Sequence, residues 1–256
     1  MKNVALITGA SSGIGKALAE IHAASGDLVI IARSEDELNA LKNELEVEYN
    51  STILVIVKDL TVENAPKEVF DHLKRKNIEV EYLINNAGFG GVGKFVNRKL
   101  EEDLAMIQLN VMALTSLTRL FLPEMLERNS GKILNISSIA SLMPGPNQAT
   151  YFATKAYVTS FSQAIAGEVA DSKVSVTALL PGATKTNFGK VSGMDKTMLF
   201  NNPASVNEVA KEGYKAMMKG KLVKKTGIGL SQKIMLLLLP LIPKRILLST
   251  VKKMQQ

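Results

Sequence analysis

Tyr151 and Lys155 lie four residues apart in the run Ala149-Thr-Tyr-Phe-Ala-Thr-Lys155, which reads as helix. Positions i and i+4 share a helix face, so the phenol and the ammonium can converge on one point. An isolated phenol titrates at about pH 10. A fixed positive charge beside it favours phenolate and moves the pKa down, towards the range useful for proton transfer. A tyrosine so placed can give a proton to a carbonyl oxygen or take one from an alcohol. The plain alternative is a surface tyrosine beside a solvated lysine, and for an isolated pair it is the better one. Of the five tyrosines, however, only Tyr151 has a lysine at the fourth position after it.

The elements that must position this pair follow from hydrophobic patterning. Strand-like apolar runs occupy 4–7, 28–32, 53–57, 82–85, 132–137 and 174–180, and segments of helical period occupy 14–25, 35–48, 63–76, about 98–128 and 151–170. Buried strands alternating with helices imply right-handed βαβ units and a parallel sheet covered on both faces. The expected fold is therefore α/β: a doubly wound parallel sheet in three layers, as one domain. Ligands of such sheets bind at the carboxyl ends of the strands, where the strand order reverses. Ser205-Val-Asn-Glu208 reads as a capping box opening a later helix to about Met218.

The first loop carries a second chemistry. Thr8-Gly-Ala-Ser-Ser-Gly-Ile-Gly15 follows the first strand and opens the first helix. Its residues Gly9, Ser11, Ser12, Gly13, Ile14 and Gly15 are expected to hold a pyrophosphate, with the helix N-terminus facing the phosphates. The spacing departs from Gly-x-Gly-x-x-Gly, with three residues between the first two glycines. At the end of the second strand an acid would hold a ribose 2′-hydroxyl, while an arginine would accept a 2′-phosphate. Ala32 stands at the acidic spot and Arg33 follows, which favours NADP(H) over NAD(H). The alternative is a solvated arginine paired with Glu35 or Asp36. Asp59, followed by Leu60, is placed either to accept from an adenine amino group or to cap a helix. Asn85-Asn86-Ala87-Gly88 suits a chain passing against a cofactor, and would equally make a plain strand-end turn.

Composition narrows the classes. The chain of 256 residues has no cysteine, which excludes disulfides, thiolate metal sites and thiol catalysis. Its histidines, His22 and His72, lack metal-ligand spacing and read as ordinary helix residues, so no metal site is expected. No signal peptide is visible, since the 4–7 run leads directly into Thr8-Gly9, and a cytoplasmic protein is the default expectation. The net charge of +7 is uneven: from Gly213 onward there are ten Lys/Arg and no Asp/Glu. That excess, on a leucine-rich segment poor in aromatics, points to a membrane surface or an acidic partner before nucleic acid.

Together the motifs resemble the short-chain dehydrogenase/reductase family over essentially residues 3–190. They are the glycine-rich loop 8–15, Asn85-Asn-Ala-Gly88, Asn110, Ser138 thirteen residues before Tyr151, Tyr151-x-x-x-Lys155, and Pro181-Gly182 with Thr186. The resemblance implies a Rossmann-type fold and, with Arg33, the short NADP-preferring branch. It makes Tyr151 the general acid in reduction and general base in oxidation. Ser138 would hydrogen-bond the substrate oxygen, and Lys155 would lower the tyrosine pKa and bind the nicotinamide ribose. Asn110 would hold a water in a proton relay. Pro181, Gly182, Thr184 and Thr186 would approach the carboxamide and phosphates. Relatives form dimers or tetramers through the long helices near 98–128 and 151–170, so a homo-oligomer is expected.

Three loops, 89–95, 139–148 and 187–202, should wall the substrate. They contribute Phe89, Val92, Phe95, Leu142, Met143, Phe188, Met194, Met198, Leu199 and Phe200, a lining suited to a hydrophobic carbonyl or secondary alcohol. The domain is expected over 1–226, with an apolar and basic extension over 227–256. In that extension 234–239 is apolar all round, and Pro240 and Pro243 interrupt it. A nine-residue helix reaches about 14 Å against a hydrocarbon core of about 30 Å, so it does not span a bilayer. Packing on the body or on a partner subunit, or a substrate lid, is favoured over a peripheral helix on anionic lipid. A β-ketoacyl-carrier-protein reductase and a non-catalytic dinucleotide sensor are the rival functions.

Overall fold

The computed structural model describes residues 1–197, 200 and 203–255. Its strands are β1 (Val4–Thr8), β2 (Leu28–Ala32), β3 (Ile53–Val57), β4 (Val80–Asn85), β5 (Lys132–Ile136), β6 (Ser175–Pro181) and β7 (Val223–Thr226). They form one sheet of seven strands in the order β3-β2-β1-β4-β5-β6-β7, every neighbouring pair parallel. The chain runs outward from β1 to β3 and then returns to β4 on the other side of β1. The crevice at the carboxyl ends of β1 and β4 is thus the switch point where such folds bind ligands.

Alternation along the strands divides the core in two. Ala5, Ile7, Leu28 and Ile30 face α1 (Gly13–Ala23), α2 (Glu35–Tyr49) and α8 (Val206–Met218). Leu6, Val29, Ile31 and Leu83 face α3 (Ala65–Arg75), α5 (Leu114–Glu127) and α6 (Ala149–Glu168). Ahead of α5, α4 (Leu100–Ile107) joins it through a π-helical turn at Gln108–Ala113. The whole run Leu100–Glu127 is apolar and long enough by length and composition to cross a membrane. Its inner stripe, Ala113, Leu117, Phe121 and Met125, lies in the core against the sheet.

A polar ladder crosses this second face. Asn85 of β4 sits in register with Asn135 of β5. The Asn85 amide donates to Asn135 Oδ1 at 2.9 Å and to Thr118 Oγ1 at 3.2 Å, and Asn135 Nδ2 donates to Ser162 Oγ at 2.9 Å.

Two expectations need correction. The sequence pattern omits β7, whose Val-Lys-Lys-Thr is too short and too charged to read as a strand; it forms because β6 offers a free edge. The capping box at Ser205 and Glu208 does not form. Ser205 is the N-cap residue, but its side chain makes no cap hydrogen bond. The helix is instead anchored by burial of Val209, Ala210 and Met217 against the sheet. Two helices follow the last strand, α9 (Leu230–Leu238) and α10 (Lys244–Met254), separated at the prolines as their sequence requires.

Candidate active site

The loop after β1 is held close to the end of β4 by its glycines. Gly9 has φ +66°, and a β-carbon there would stand 2.9 Å from both Ala87 Cα and Asn86 Nδ2. A β-carbon on Gly15 would collide with the Gly9 carbonyl and the Asn86 amide, so helix and strand approach closely only because the residue is glycine. Asn86 Nδ2 donates to the Thr8 and Gly9 carbonyls at 2.8 and 3.0 Å, while Thr8 Oγ1 accepts from the Asn86 and Ala87 N–H groups. The ends of β1 and β4 are thereby stitched together. The N-cap residue of α1, Ser12, makes no side-chain cap bond, and the first turn contains no acid. Unpaired N–H groups and the helix dipole therefore face the crevice, the arrangement an anion needs. Thr186 borders the same turn, with its methyl 3.1 Å from where a Gly13 β-carbon would lie.

Arg33 extends from the end of β2 with its side chain 77% exposed, 4.0 Å from Asp59 Oδ2. It pairs with neither Glu35 nor Asp36 among the described residues. Asp59 does not cap a helix, since α3 begins at Ala65 with Asn64 as its N-cap. Its Oδ1 instead accepts from the Thr61 N–H at 2.9 Å and the Thr61 hydroxyl at 2.8 Å, holding a turn. Burial pushes the Asp59 carboxyl up, but the Thr61 bonds and Arg33 outweigh it and leave the pKa lowered. Ser34 is a residue that motif reasoning passes over. It follows Arg33 in the chain as the N-cap of α2, and its side chain makes no cap bond.

Tyr151 and Lys155 lie on the inner face of α6, both buried, and the Lys155 ammonium stands over the phenol ring at 5.9 Å from its centroid. Lys155 Nζ donates to the Ile136 carbonyl at 2.8 Å. The Lys155 carbonyl accepts from Ser137 Oγ at 2.9 Å, which ties α6 to the end of β5. The expected direction of the tyrosine shift is reversed. Burial pushes the Tyr151 phenol up to about 12, with the Ser138 hydroxyl pulling it part of the way back. Burial also pulls the Lys155 ammonium down to about 8. Desolvation penalises the charged form of each group, and it outweighs the attraction that spacing alone suggests.

Ser138 follows β5 and accepts from the Ala140 N–H at 3.1 Å. Its own proton has a long contact, 3.5 Å, to the Pro181 carbonyl, and its hydroxyl also lies against the Tyr151 phenol. Asn110 sits in the π-turn rather than in regular helix. Its Oδ1 accepts from the Phe89 N–H at 3.1 Å, and its Nδ2 donates to the Phe89 carbonyl at 2.9 Å and to Thr154 Oγ1 at 3.1 Å. Asn110 thus fixes the chain just after Gly88, where a β-carbon would meet Asn110 Oδ1 at 2.9 Å and Lys155 Nζ at 3.5 Å. Thr154 and Ile136 take part through contacts that no motif encodes.

The wall over Tyr151 is apolar. Phe188, from α7 (Asn187–Ser192), lies 5.6 Å from the Tyr151 ring centroid, and Met194 and Gly90 close in beside it. Phe89, Val92, Met143 and Phe200 pack on the same cluster. Phe95 does not, being 68% exposed, and Leu142 is no member of the cluster either. Met198, Leu199 and Asn202 lie outside the described residues. From the carboxyl end, α10 brings Val251 and Leu247 onto this cluster.

A parallel sheet in this order, with a glycine-lined anion cradle at its switch point and a buried tyrosine and lysine beside it, defines a Rossmann-type oxidoreductase. The short chain dehydrogenase family model matches residues 3–197. The chain belongs to that family. It is 35% identical over 196 residues to the mouse (Mus musculus) very-long-chain 3-oxoacyl-CoA reductase, covering 73% of this chain and 61% of that protein. It is 36% identical over 190 residues to the 3-oxoacyl-[acyl-carrier-protein] reductase of Synechocystis, covering 72% and 75% respectively. Among solved structures, a short-chain dehydrogenase from Sphingobium yanoikuyae in complex with NADPH superposes with TM-score 0.83 at 32% identity, over 91% of both chains. The match spans about 60% of the length of the first curated relatives.

Proposed function

We propose that this chain transfers a hydride between NADP(H) and a carbonyl or secondary alcohol of an apolar substrate, with Tyr151 moving the proton. The observation that carries the reading is the convergence of Tyr151, Lys155 and Ser138 at the sheet edge beside the glycine cradle. Gly9, Ser11, Ser12, Gly13, Ile14 and Gly15 would hold the diphosphate, and Arg33 with Ser34 the 2′-phosphate. Asp59 and Leu60 would flank the adenine. Asn86, Ala87, Gly88, Pro181, Gly182, Thr184 and Thr186 would line the rest of the cleft, with Tyr151 and Lys155 at the ribose. When bound, the nicotinamide supplies or takes the hydride.

The remaining chemistry belongs to the side chains. A carbonyl oxygen between Tyr151 Oη and Ser138 Oγ gains negative charge as it is reduced. The Ser138 hydroxyl donates a hydrogen bond to that charge, and the phenol, protonated at neutral pH, delivers its proton. The Lys155 ammonium stabilises the phenolate left behind. Asn110 acts as a positioning residue for Phe89 and for the floor of the cleft. Reduction therefore needs Tyr151 protonated and Lys155 charged, and slows as pH rises through about 8.

The names of the mouse and Synechocystis relatives favour a second substrate reading, a 3-oxoacyl thioester. Cofactor oxidation, followed over a panel of apolar ketones, aldehydes and 3-oxoacyl thioesters with NADPH and NADH in parallel, tests both. Turnover with NADPH is expected. Preference for NADH would overturn the Arg33 assignment, and no turnover on any carbonyl would overturn the oxidoreductase reading for these substrates.

A further inference from the structure

The C-terminal helices present two different faces. On one, Leu247 and Val251 of α10 pack on the cluster that contains Tyr151. On the other, Leu230, Ile234, Leu237, Leu238 and Leu241 recur at helical spacing along α9 and the turn after it, and all are exposed. Leu237 and Leu241 are 76% and 79% exposed, values at which a leucine has almost no protein cover. The expected packing of this segment is thus met by α10 and by one side of α9, where Leu236 and, in the turn after it, Leu239 are buried, while the leucine stripe on the other side of α9 stays uncovered. We propose that the leucine stripe of α9, with its basic flanks, docks on an anionic lipid surface.

Charge selects this occupant. Lys233 lies within the stripe, Lys244 and Arg245 follow it directly, and none of these has an ion-pair partner among the described residues. The Glu212 carboxylate, which feels the Lys233 charge, is engaged by Lys224 at 3.2 Å and by the Thr226 hydroxyl. The chain contributes no acid at all from Gly213 onward. A second copy of the chain on this face would set like charges against each other, which opposes association. The segment 230–255 also has no aromatic residue, whereas protein interfaces concentrate aromatic anchors at their centres. An apolar stripe with cationic flanks is the pattern of a helix lying in the headgroup plane. From 230 to 241 it extends about 16 Å, too short to cross a core of about 30 Å and suited to lying flat. Its attachment would hold α10, and with it the apolar wall over Tyr151, next to the bilayer. This last consequence rests on the proposed oxidoreductase reading, whereas the docking does not.

Sedimentation of the full chain with vesicles of phosphatidylcholine, with and without phosphatidylserine, tests the docking without any activity measurement. Binding to the phosphatidylserine vesicles is expected, weakened by added salt and at least about tenfold weaker on phosphatidylcholine alone. Lys244→Gln and Arg245→Gln should each cost roughly fivefold in partition. The double substitution Leu237→Glu and Leu241→Glu should abolish binding while leaving the thermal melting curve in place, because both positions are solvent-exposed. Failure of the full chain to sediment, or binding indifferent to the leucine substitutions, overturns the proposal. So does a leucine variant that alters the oligomeric state in the absence of vesicles, which would make the face a subunit contact.

Discussion

Burial moves Tyr151 and Lys155 in opposite senses on the pH axis, and both shifts are linked to folding. The Lys155 pKa falls from about 10.5 to about 8, so between those values the unfolded chain binds the proton and the folded chain does not. Stability therefore rises with pH across that window. For Tyr151, raised from about 10 to about 12, the folded chain keeps a proton that the unfolded one releases, and stability falls across that higher window. Urea unfolding of the wild type and Lys155→Met should accordingly show a difference that shifts in favour of the wild type between about pH 8 and pH 10. A constant difference would mean that the buried ammonium carries no penalty. For the chemistry, Tyr151→Phe should lower kcat by about 10²- to 10⁴-fold, the usual worth of a positioned acid. Titration of NADPH against the variant should show binding nearly unchanged, because the glycine cradle is untouched.

At the level of elements, the sheet and the long helices were legible because their apolar periods are uninterrupted. What was not legible is what tertiary packing creates. β7 exists only as an addition to the edge of β6. The π-turn at Asn110 arises where the helix widens by a residue, so that an amide can reach the Phe89 backbone, and no periodicity announces it. The motif spacings singled out Tyr151, Ser138 and Asn110 as site candidates. They could not supply the sign of the tyrosine shift, because that depends on how much water α7 and Met194 exclude. Asn110→Ala removes both contacts to Phe89 and the bond to Thr154, and should cost about 1–3 kcal/mol in urea denaturation. If Asn110 also positions the cleft floor, KM for substrate should rise in the variant. An unchanged KM would leave the residue purely structural.

For the whole molecule, the outward faces of α4 to α6 carry Leu104, Ile107 and Met112, all exposed, and a stacked Tyr157–Phe161 pair. We propose that this face forms the homo-oligomer. Leu104→Lys with Ile107→Lys should lower the mass measured by light scattering, while the α9 substitutions should not. The two surfaces thereby separate assembly from attachment. The polar ladder from Thr118 through Asn85 and Asn135 to Ser162 has a further meaning for the molecule as a whole. A slip of β4 against β5 by one residue would turn Asn85 to the opposite face and strand the Asn135 amide in hydrocarbon. The ladder thus works as a proofreading device for assembly. It penalises the near-miss pairings that hydrophobic strands tolerate, and so ensures that the two loops carrying Asn86 and Ser138 emerge side by side.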